Sequence, residues 1–189
     1  RVTMGGVVTP LTRVHPDTQW AEPRWSPRGD RIAAVRWTHG GFGDVVLLDT
    51  VGVVVARVTS DRAVDASPSW SRDGRWLFFS SDRTGVTQLY AVPVDSLGSD
   101  DGANGALVRR LSTAATGLFE PEPSPNGDRL AAVHYRNDGF HVGVAPLDTL
   151  GVDRPTPEAR FSASPDRRAE PSQAPQGTYS SLRMLWPRY

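Results

Sequence analysis

Few side chains of this sequence have the types and spacing that chemistry requires. A serine hydrolase of the α/β type carries its nucleophile in a Gly-x-Ser-x-Gly string on a strand-to-helix turn. The sequence contains no such string. We therefore predict no catalytic residue in this chain, and any peptidase chemistry of a parent protein is expected outside it.

Metal ligands are the second kind of chemistry to consider. The chain has four histidines: His15, His39, His134 and His141. A metal site needs two or three ligands that converge on one point, and the histidine spacing gives no such pairing. Four aspartates lie near predicted strand ends: Asp44, Asp49, Asp82 and Asp138. They could hold a cation at a channel mouth, but loop solubility explains them equally well. We predict no metal and no cofactor.

Aromatic side chains beside glycine-rich loops are the candidates for a binding surface. They form two pairs whose members stand 98 residues apart: Trp37 with Tyr135 and Phe42 with Phe140. Aromatics at repeating loop positions can form a rim that binds a partner. Packing of one repeat on the next is the competing interpretation, and the sequence leaves both open.

Composition restricts the classes of partner. The 21 basic and 21 acidic residues give a formal net charge of zero, so no basic excess indicates nucleic acid or an anionic membrane surface. The absence of cysteine excludes disulfides and thiolate metal sites. No apolar run approaches the ~20 residues of a membrane helix. The 18 glycines and 16 prolines fit a turn-rich all-β chain.

The elements that must position these residues come from a repeated unit, seen most clearly at residues 65–95. A Pro-x-Trp-Ser segment leads to a turn at Arg72–Gly74, and the apolar runs Trp76–Phe79 and Gln88–Val94 follow. Glycine suits the turn because it takes positive φ without strain. The tryptophan of this segment, Trp70, and Trp25 of the preceding copy are large enough to fill the wedge between neighbouring sheets.

Three copies of this unit occur. Their turn glycines, Gly29, Gly74 and Gly127, are spaced 45 and 53 residues apart, and the longer interval holds a polar, glycine-rich insertion. A period in the forties built from short strands is typical of propeller blades. We predict an all-β partial β-propeller with about three four-stranded blades plus a partial blade.

The predicted domain boundaries follow from the repeats. Residues 1–152 hold the blades, with repeats at about 20–64, 65–118 and 119–152 and an outer strand of a preceding blade before them. Residues 153–177 are a proline-rich linker. Residues 178–189 begin a truncated following element, so we expect a fragment of a larger protein.

The string from Pro68 to Arg83, followed by Gln88–Val92, resembles the WD40-like (PD40) repeat of TolB-like β-propellers. The family pattern is a proline, an aromatic, Ser-Pro-Asp-Gly, a short apolar strand, Ser-x-Arg and an Ile-Tyr-type strand. The other copies match through Trp25–Gly29 and Ser124–Gly127 but lack the Ser-Asp-Arg step. The resemblance covers about residues 20–150.

The resemblance implies only a general class of function, because the same blades occur in several kinds of protein. TolB-like proteins are periplasmic and bind other envelope proteins, which implies a non-catalytic protein-binding scaffold in the periplasm or at the outer membrane. The alternative is the gating propeller of a prolyl-oligopeptidase-like serine peptidase whose catalytic domain lies outside this chain. The segment Tyr179–Tyr189 resembles one that leads into an outer-membrane barrel, which implies association with such a barrel in the parent protein. We predict a protein partner and no nucleic acid.

Overall fold

Antiparallel sheets of short strands make up the fold. The structure is a computed structural model that describes residues 5–147 apart from 7, 14, 39–41 and 99–106. The first sheet contains, in chain order, β1 (Thr18–Trp25), β2 (Arg31–Thr38), β3 (Gly43–Asp49) and β4 (Val54–Arg57). The second contains β5 (Asp65–Trp70), β6 (Trp76–Ser81), β7 (Gln88–Pro93) and β8 (Arg109–Arg110), with a 3-10 turn at Val94–Ser96. The third contains β9 (Leu118–Pro123), β10 (Arg129–Arg136) and β11 (Gly139–Pro146).

This arrangement confirms the all-β partial propeller. Each sheet is an up-and-down meander in sequence order, as a blade requires. The third sheet has three strands within the described residues. The proposed linker at 153–177 and the element at 178–189 lie outside the described part. The described residues include no helix that is long and apolar enough to cross a bilayer.

The first turn of every sheet is built in the same way. The φ angles of Gly29, Gly74 and Gly127 are 72°, 71° and 76°, values that favour glycine. The preceding serine hydroxyl donates to an aspartate near the glycine, at 2.6 to 2.8 Å. The same hydroxyl accepts the amide of the first strand residue after the turn. The Ser-x-x-Gly spacing thus pairs the turn's polar groups locally.

A bulge interrupts the innermost strand of every sheet just before its proline. Glu22, Ser67 and Glu120 have φ angles of 53°, 54° and 51°, and the strand register shifts at each site. The carboxylate of Glu22 accepts a hydrogen bond from the amide of Ser67. The bulges therefore accommodate the prolines and connect the first two sheets.

Two apolar cores lie between neighbouring sheets. The first joins Ala33, Val45 and Leu47 of the first sheet to Phe79 and Tyr90 of the second. The second core lies between the opposite face of the second sheet and the third sheet, through residues that include Phe78, Leu89 and Leu130. The second sheet thus packs against a neighbouring sheet on each of its faces, as a blade between two others around a common axis does.

The two tryptophans predicted to fill wedges behave differently. Trp70 packs against the first core, and its Nε1 donates to the carbonyl of Arg24 at 3.1 Å. Trp25 is 60% exposed, so the wedge prediction is wrong there, because no described sheet precedes the first one.

The strand predicted before the first sheet includes positions 7 and 14, which lie outside the described residues, so it stays a prediction. Leu11 packs on the outer face of the first sheet, where Ile32, Ala34 and Leu48 are buried beside Trp20 of β1. The chain before β1 therefore covers part of this face.

Candidate functional site

The predicted aromatic residues all lie at one end of the sheets. We call the end with Gly29, Gly74 and Gly127 the glycine-turn end, and the opposite end, where β2–β3, β6–β7 and β10–β11 connect, the rim end. Trp37 and Tyr135 stand near the ends of β2 and β10, and Phe42 and Phe140 near the starts of β3 and β11. Strand direction therefore places all four at the rim end.

The structure brings Tyr135 and Phe140 together. They are direct cross-strand partners, with ring centroids 5.0 Å apart and a 48° angle between ring planes. Phe119 completes the group by an edge contact with Phe140 at 6.3 Å. Tyr135 and Phe140 are 44% and 69% exposed. The three rings form an accessible aromatic cluster, the type of surface that anchors protein partners.

Sequence reasoning missed Phe119, although a signal existed. The third copy has phenylalanine directly before its Glu-Pro step, whereas the first two copies have Ala21 and Ala66 at that position. An aromatic in an innermost strand resembles an ordinary core residue, so the substitution does not stand out without the neighbouring strands.

Trp37 and Phe42 are placed differently from the third-sheet pair. Trp37 is half-buried over Gly43, since a Cβ on that glycine would lie 3.1 Å from the indole ring. The same point lies 3.2 Å from the carbonyl of Asp65, the first residue of the second sheet. Trp37 therefore packs where the first two sheets meet, while Phe42 is 38% exposed. Within the described residues no ring contact joins either to Tyr135 or Phe140.

The 98-residue spacing does not make Phe42 and Phe140 equivalent. Gly43 stands opposite Trp37, whereas Phe140 stands opposite Tyr135. Five residues lie between Trp37 and Gly43, and four lie between Tyr135 and Phe140. Counted between these equivalent pairs, the β2–β3 connection therefore has one extra residue. Cross-strand register makes Gly43 the true counterpart of Phe140, because directly opposed residues share a sheet face.

The aromatic cluster continues into an apolar sheet face. Val142 and Val144, which stand opposite Val133 and Ala131, are 78% and 61% exposed. The matching positions of the first sheet, Val45 and Leu47, are fully buried by the second sheet. We call Tyr135, Phe140, Val142 and Val144 the third-sheet face. This continuous apolar surface lies open among the described residues.

A buried ionic group stands at the rim end of the first two sheets. The guanidinium of Arg83 donates to both oxygens of Asp65, at 3.0 and 3.2 Å, and lies 3.5 Å from Asp61. It also packs against the rings of Phe79 and Tyr90, with centroid distances of 5.6 and 5.0 Å. Burial raises the pKa of Asp65 and Arg83 opposes that shift. Because its charges are paired and enclosed, this ionic group has a structural role and is not available to bind a ligand.

Asp44 stands beside this group. Burial, and secondarily the charge of Asp65, raise its pKa to about 6, with Arg36 opposing. One carboxylate oxygen, Oδ1, has no hydrogen-bond partner in the described part of the chain. Asp44 is therefore a half-buried carboxyl group at the rim end whose pKa lies well above the usual aspartate value.

Other candidate ligands bond to neighbouring groups, and His39 lies outside the described residues. Asp49 accepts the amides of Val51 and Val53 in the β3–β4 turn, and Asp82 accepts the amide of Val64. His141 Nε2 lies 2.9 Å from Asp138 Oδ1. No group of three or more His, Asp or Glu side chains in the described ranges is arranged to hold a metal ion.

The comparisons with known proteins agree with this fold. Residues 14–180 match the PD40 family, described as the TolB beta propeller domain. The chain is 35% identical over 120 residues to an uncharacterized protein of Agrobacterium fabrum, covering 61% of this chain and 36% of that one. It is 34% identical over 135 residues to the Tol-Pal system protein TolB of an Anaeromyxobacter strain, covering 71% and 29%. The chain thus spans about a third of the length of these curated relatives.

Solved structures show the same architecture. A structure assigned to TolB of Agrobacterium tumefaciens superposes with a TM-score of 0.56 at 28% identity, over 74% of this chain and 48% of that one. TolB from Acinetobacter baumannii gives a TM-score of 0.56 at 24% identity, over 68% and 30%, which shows the fold alone. The match over residues 14–180, together with three meandering sheets that pack face to face, shows that this chain belongs to the TolB beta propeller domain family.

Proposed function

We propose that this chain is a non-catalytic scaffold that binds a protein partner through the third-sheet face. The observation that carries the proposal is the pair of aromatic rings at the rim end of this face, Tyr135 and Phe140, which lie 5.0 Å apart and are 44% and 69% exposed. Exposed aromatic side chains held by a rigid sheet are typical anchors for protein partners.

The chemistry of this face suits a protein rather than a small polar ligand. Tyr135 and Phe140 present rigid rings with few rotatable bonds, so little side-chain entropy is lost on binding. The exposed side chains of β11 add area beside these rings. Large flat apolar surfaces gain affinity by excluding water across many contacts.

The setting that we propose is the bacterial envelope, in the periplasm or at the outer membrane. Support comes from a relative that carries the name of the Tol-Pal system. The partner then is an envelope protein, and the zero net charge of the chain gives no reason to add nucleic acid. The suggested association with an outer-membrane barrel depends on Tyr179–Tyr189, which lies outside the described residues.

Site-specific photo-crosslinking in the envelope tests this function. A benzoylphenylalanine introduced in place of Phe140 of the full-length protein is expected to form an adduct with one defined protein, identified by mass spectrometry. The same probe in place of Arg28, an exposed residue at the glycine-turn end, serves as the control. Equal adducts from both positions, or none from position 140, would refute the proposal.

The gating propeller of a serine peptidase stays a sequence-based prediction. Its nucleophile would lie outside these residues, because the Gly-x-Ser-x-Gly string is absent. Labelling of the full-length parent protein with a fluorophosphonate, together with loss of peptide hydrolysis, would favour this alternative over the scaffold.

A further inference from the structure

A groove of about 820 Å³ opens between the second and third sheets at the glycine-turn end. Its walls are the turn Ser71–Asp73 of the second sheet and the turn Asn126–Asp128 of the third, with Arg129 beside the latter. Trp76 and Leu147 line the space between them. The volume lies within the range of sites that hold a ligand of a few residues, and the groove lies at the opposite end of the sheets from Tyr135 and Phe140.

Sequence differences between the copies explain how the walls of this groove differ from those of the first junction. The turn of the first sheet meets the second sheet through Pro27, whose Cδ lies 3.7 Å from the Cβ position of Gly74. At the second junction Arg72 takes this place, with its Cβ 3.9 Å from the Cβ position of Gly127. A compact ring is thus replaced by a long charged side chain that extends into solvent.

The floor of the groove is apolar and includes an indole. Trp76 stands where the first sheet has Arg31, two residues after the turn glycine, and remains half-buried. Phe78 is fully buried beneath the groove, and Leu147 packs on the same core. The guanidinium of Arg109 covers one part of the Trp76 ring, 5.0 Å from its centroid. An apolar side chain of a ligand can therefore contact the indole and Leu147 from the open side.

The charged side chains at the mouth of the groove differ in their hydrogen-bond partners. Asp73 and Asp128 accept hydrogen bonds from the serines of their own turns, at 2.6 and 2.8 Å. The hydrogen bond from Ser71 holds the pKa of Asp73 below its usual value. Arg72 and Arg129, one on each wall, are exposed and make no side-chain hydrogen bond or ion pair within the described residues. The mouth thus carries side chains of both signs, with one exposed guanidinium group on each wall of a groove whose floor is apolar.

We propose that this groove binds an extended peptide segment of a protein partner in which carboxylate side chains alternate with large apolar ones. A carboxylate would pair with Arg72 or Arg129, the bidentate pairing that guanidinium favours. The adjacent apolar side chain would lie on Trp76. This site shares the general protein-binding role with the third-sheet face but no residue with it, so each can fail alone.

Peptide binding to the full chain tests the inference. The probes are a capped fluorescent hexapeptide with strict alternation, Glu-Leu-Glu-Phe-Glu-Leu, and its counterpart with glutamine for glutamate. Binding is measured by anisotropy, and the signal of the Trp76 indole is followed by NMR. The acidic peptide is expected to bind at least about ten times more tightly and to shift the indole signal. Equal affinity of the two peptides, or an unmoved indole signal, would overturn the proposal.

Variants locate the binding site. Arg72→Gln combined with Arg129→Gln is expected to weaken the acidic peptide about tenfold or more and leave the glutamine peptide unchanged. Arg28→Gln removes a charge from the equivalent turn of the first sheet and is the matched control. A loss with Phe140→Ser, rather than with the groove variants, would assign the peptide to the third-sheet face and refute the groove. Near-UV circular dichroism confirms that each variant is folded.

Discussion

Arg83 donates from Nη2 to both carboxylate oxygens of Asp65, and this ion pair closes the rim end of the second sheet. The pair joins the residue that begins β5 to a residue two positions beyond β6, and the Asp65 side chain is fully enclosed. Arg83 belongs to the Ser-Asp-Arg step that the second copy of the repeat has and the others lack. The second sheet, which is packed on both faces, thus has its own buried ion pair.

Removing one partner of this pair is expected to destabilise the chain strongly. Arg83→Met leaves the Asp65 carboxylate buried without a counter-ion, which costs about 3–5 kcal/mol. Urea unfolding followed by tryptophan fluorescence measures the change. Arg24→Met, at an exposed site whose guanidinium donates to the carbonyl of the adjacent Pro23, should change stability by less than about 0.5 kcal/mol. A loss below that of the control variant would show that the pair contributes no stability.

The stability of the chain should respond to the titration of Asp44. Its pKa is raised to about 6 in the folded chain, from 3.8, mainly by burial. The folded state therefore retains a proton that the unfolded chain releases, so this group lowers stability progressively as the pH rises from about 4 to 6. Above pH 6 the penalty is constant.

Asp44→Asn should remove that penalty. We expect no gain in stability at pH 4 and a gain of about 1–2 kcal/mol at pH 7, less than the full shift implies because solvent screens a half-buried carboxylate. Thermal melts between pH 4 and pH 7 measure the difference in stability between this variant and the unsubstituted chain. Asp30→Asn is the opposite case, since a hydrogen bond from Ser26 lowers the pKa of Asp30. That variant should lose stability above pH 4. A gain for Asp44→Asn that does not depend on pH would contradict the assignment.

Local sequence signals predicted the fold to a large extent. The turn glycines and the apolar runs placed the strands closely, since Trp76–Phe79 was predicted where β6 spans Trp76–Ser81. Gln88–Val94 was predicted where β7 spans Gln88–Pro93. These signals are local, because a turn residue and an alternating run depend on their immediate neighbours.

The site was less predictable because it depends on contacts between strands and sheets. Phe42 and Phe140 share a sequence spacing, but one extra residue in the β2–β3 connection moves Phe42 out of register. Trp25 repeats the Trp70 signal but is 60% exposed, because the described residues include no sheet before the first one. The pairing of Asp65 with Arg83 and the groove at Arg72 appear only when the sheets are side by side. Whether Trp37, Phe42, Tyr135 and Phe140 bind a partner stays a prediction.

The segment that covers the outer face of the first sheet should be sensitive to one glycine. Gly52 has a φ of 91°, and a Cβ there would lie 2.2 Å from the carbonyl oxygen of Leu11. Gly52→Ala therefore strains the turn and displaces Leu11 from the face that it covers. Gly29→Ala has the same backbone penalty with no atom within 4 Å and should cost about 1 kcal/mol.

Gly52→Ala should cost at least about 1 kcal/mol more than Gly29→Ala, because backbone must move to relieve the contact. Urea unfolding compares the two variants. Hydrogen exchange at Ile32 and Leu48, the residues beneath Leu11, should accelerate only in the Gly52 variant. Equal losses would mean that the segment does not pack on the first sheet as described.

The repeated bulge supplies the last prediction. Ser67 holds φ at 54° without being glycine, while its amide donates to Glu22 of the first sheet. Ser67→Gly relieves the strain and keeps the amide, so stability should be unchanged or higher by up to about 1 kcal/mol. Ser67→Val places a β-branched residue in the same conformation and should lose about 1–2 kcal/mol. Thermal and urea unfolding of the two variants measure these changes in stability. If valine were tolerated as well as glycine, the inner strand would have to pair without its bulge, and the contact between Glu22 and Ser67 that joins the first two sheets would not form.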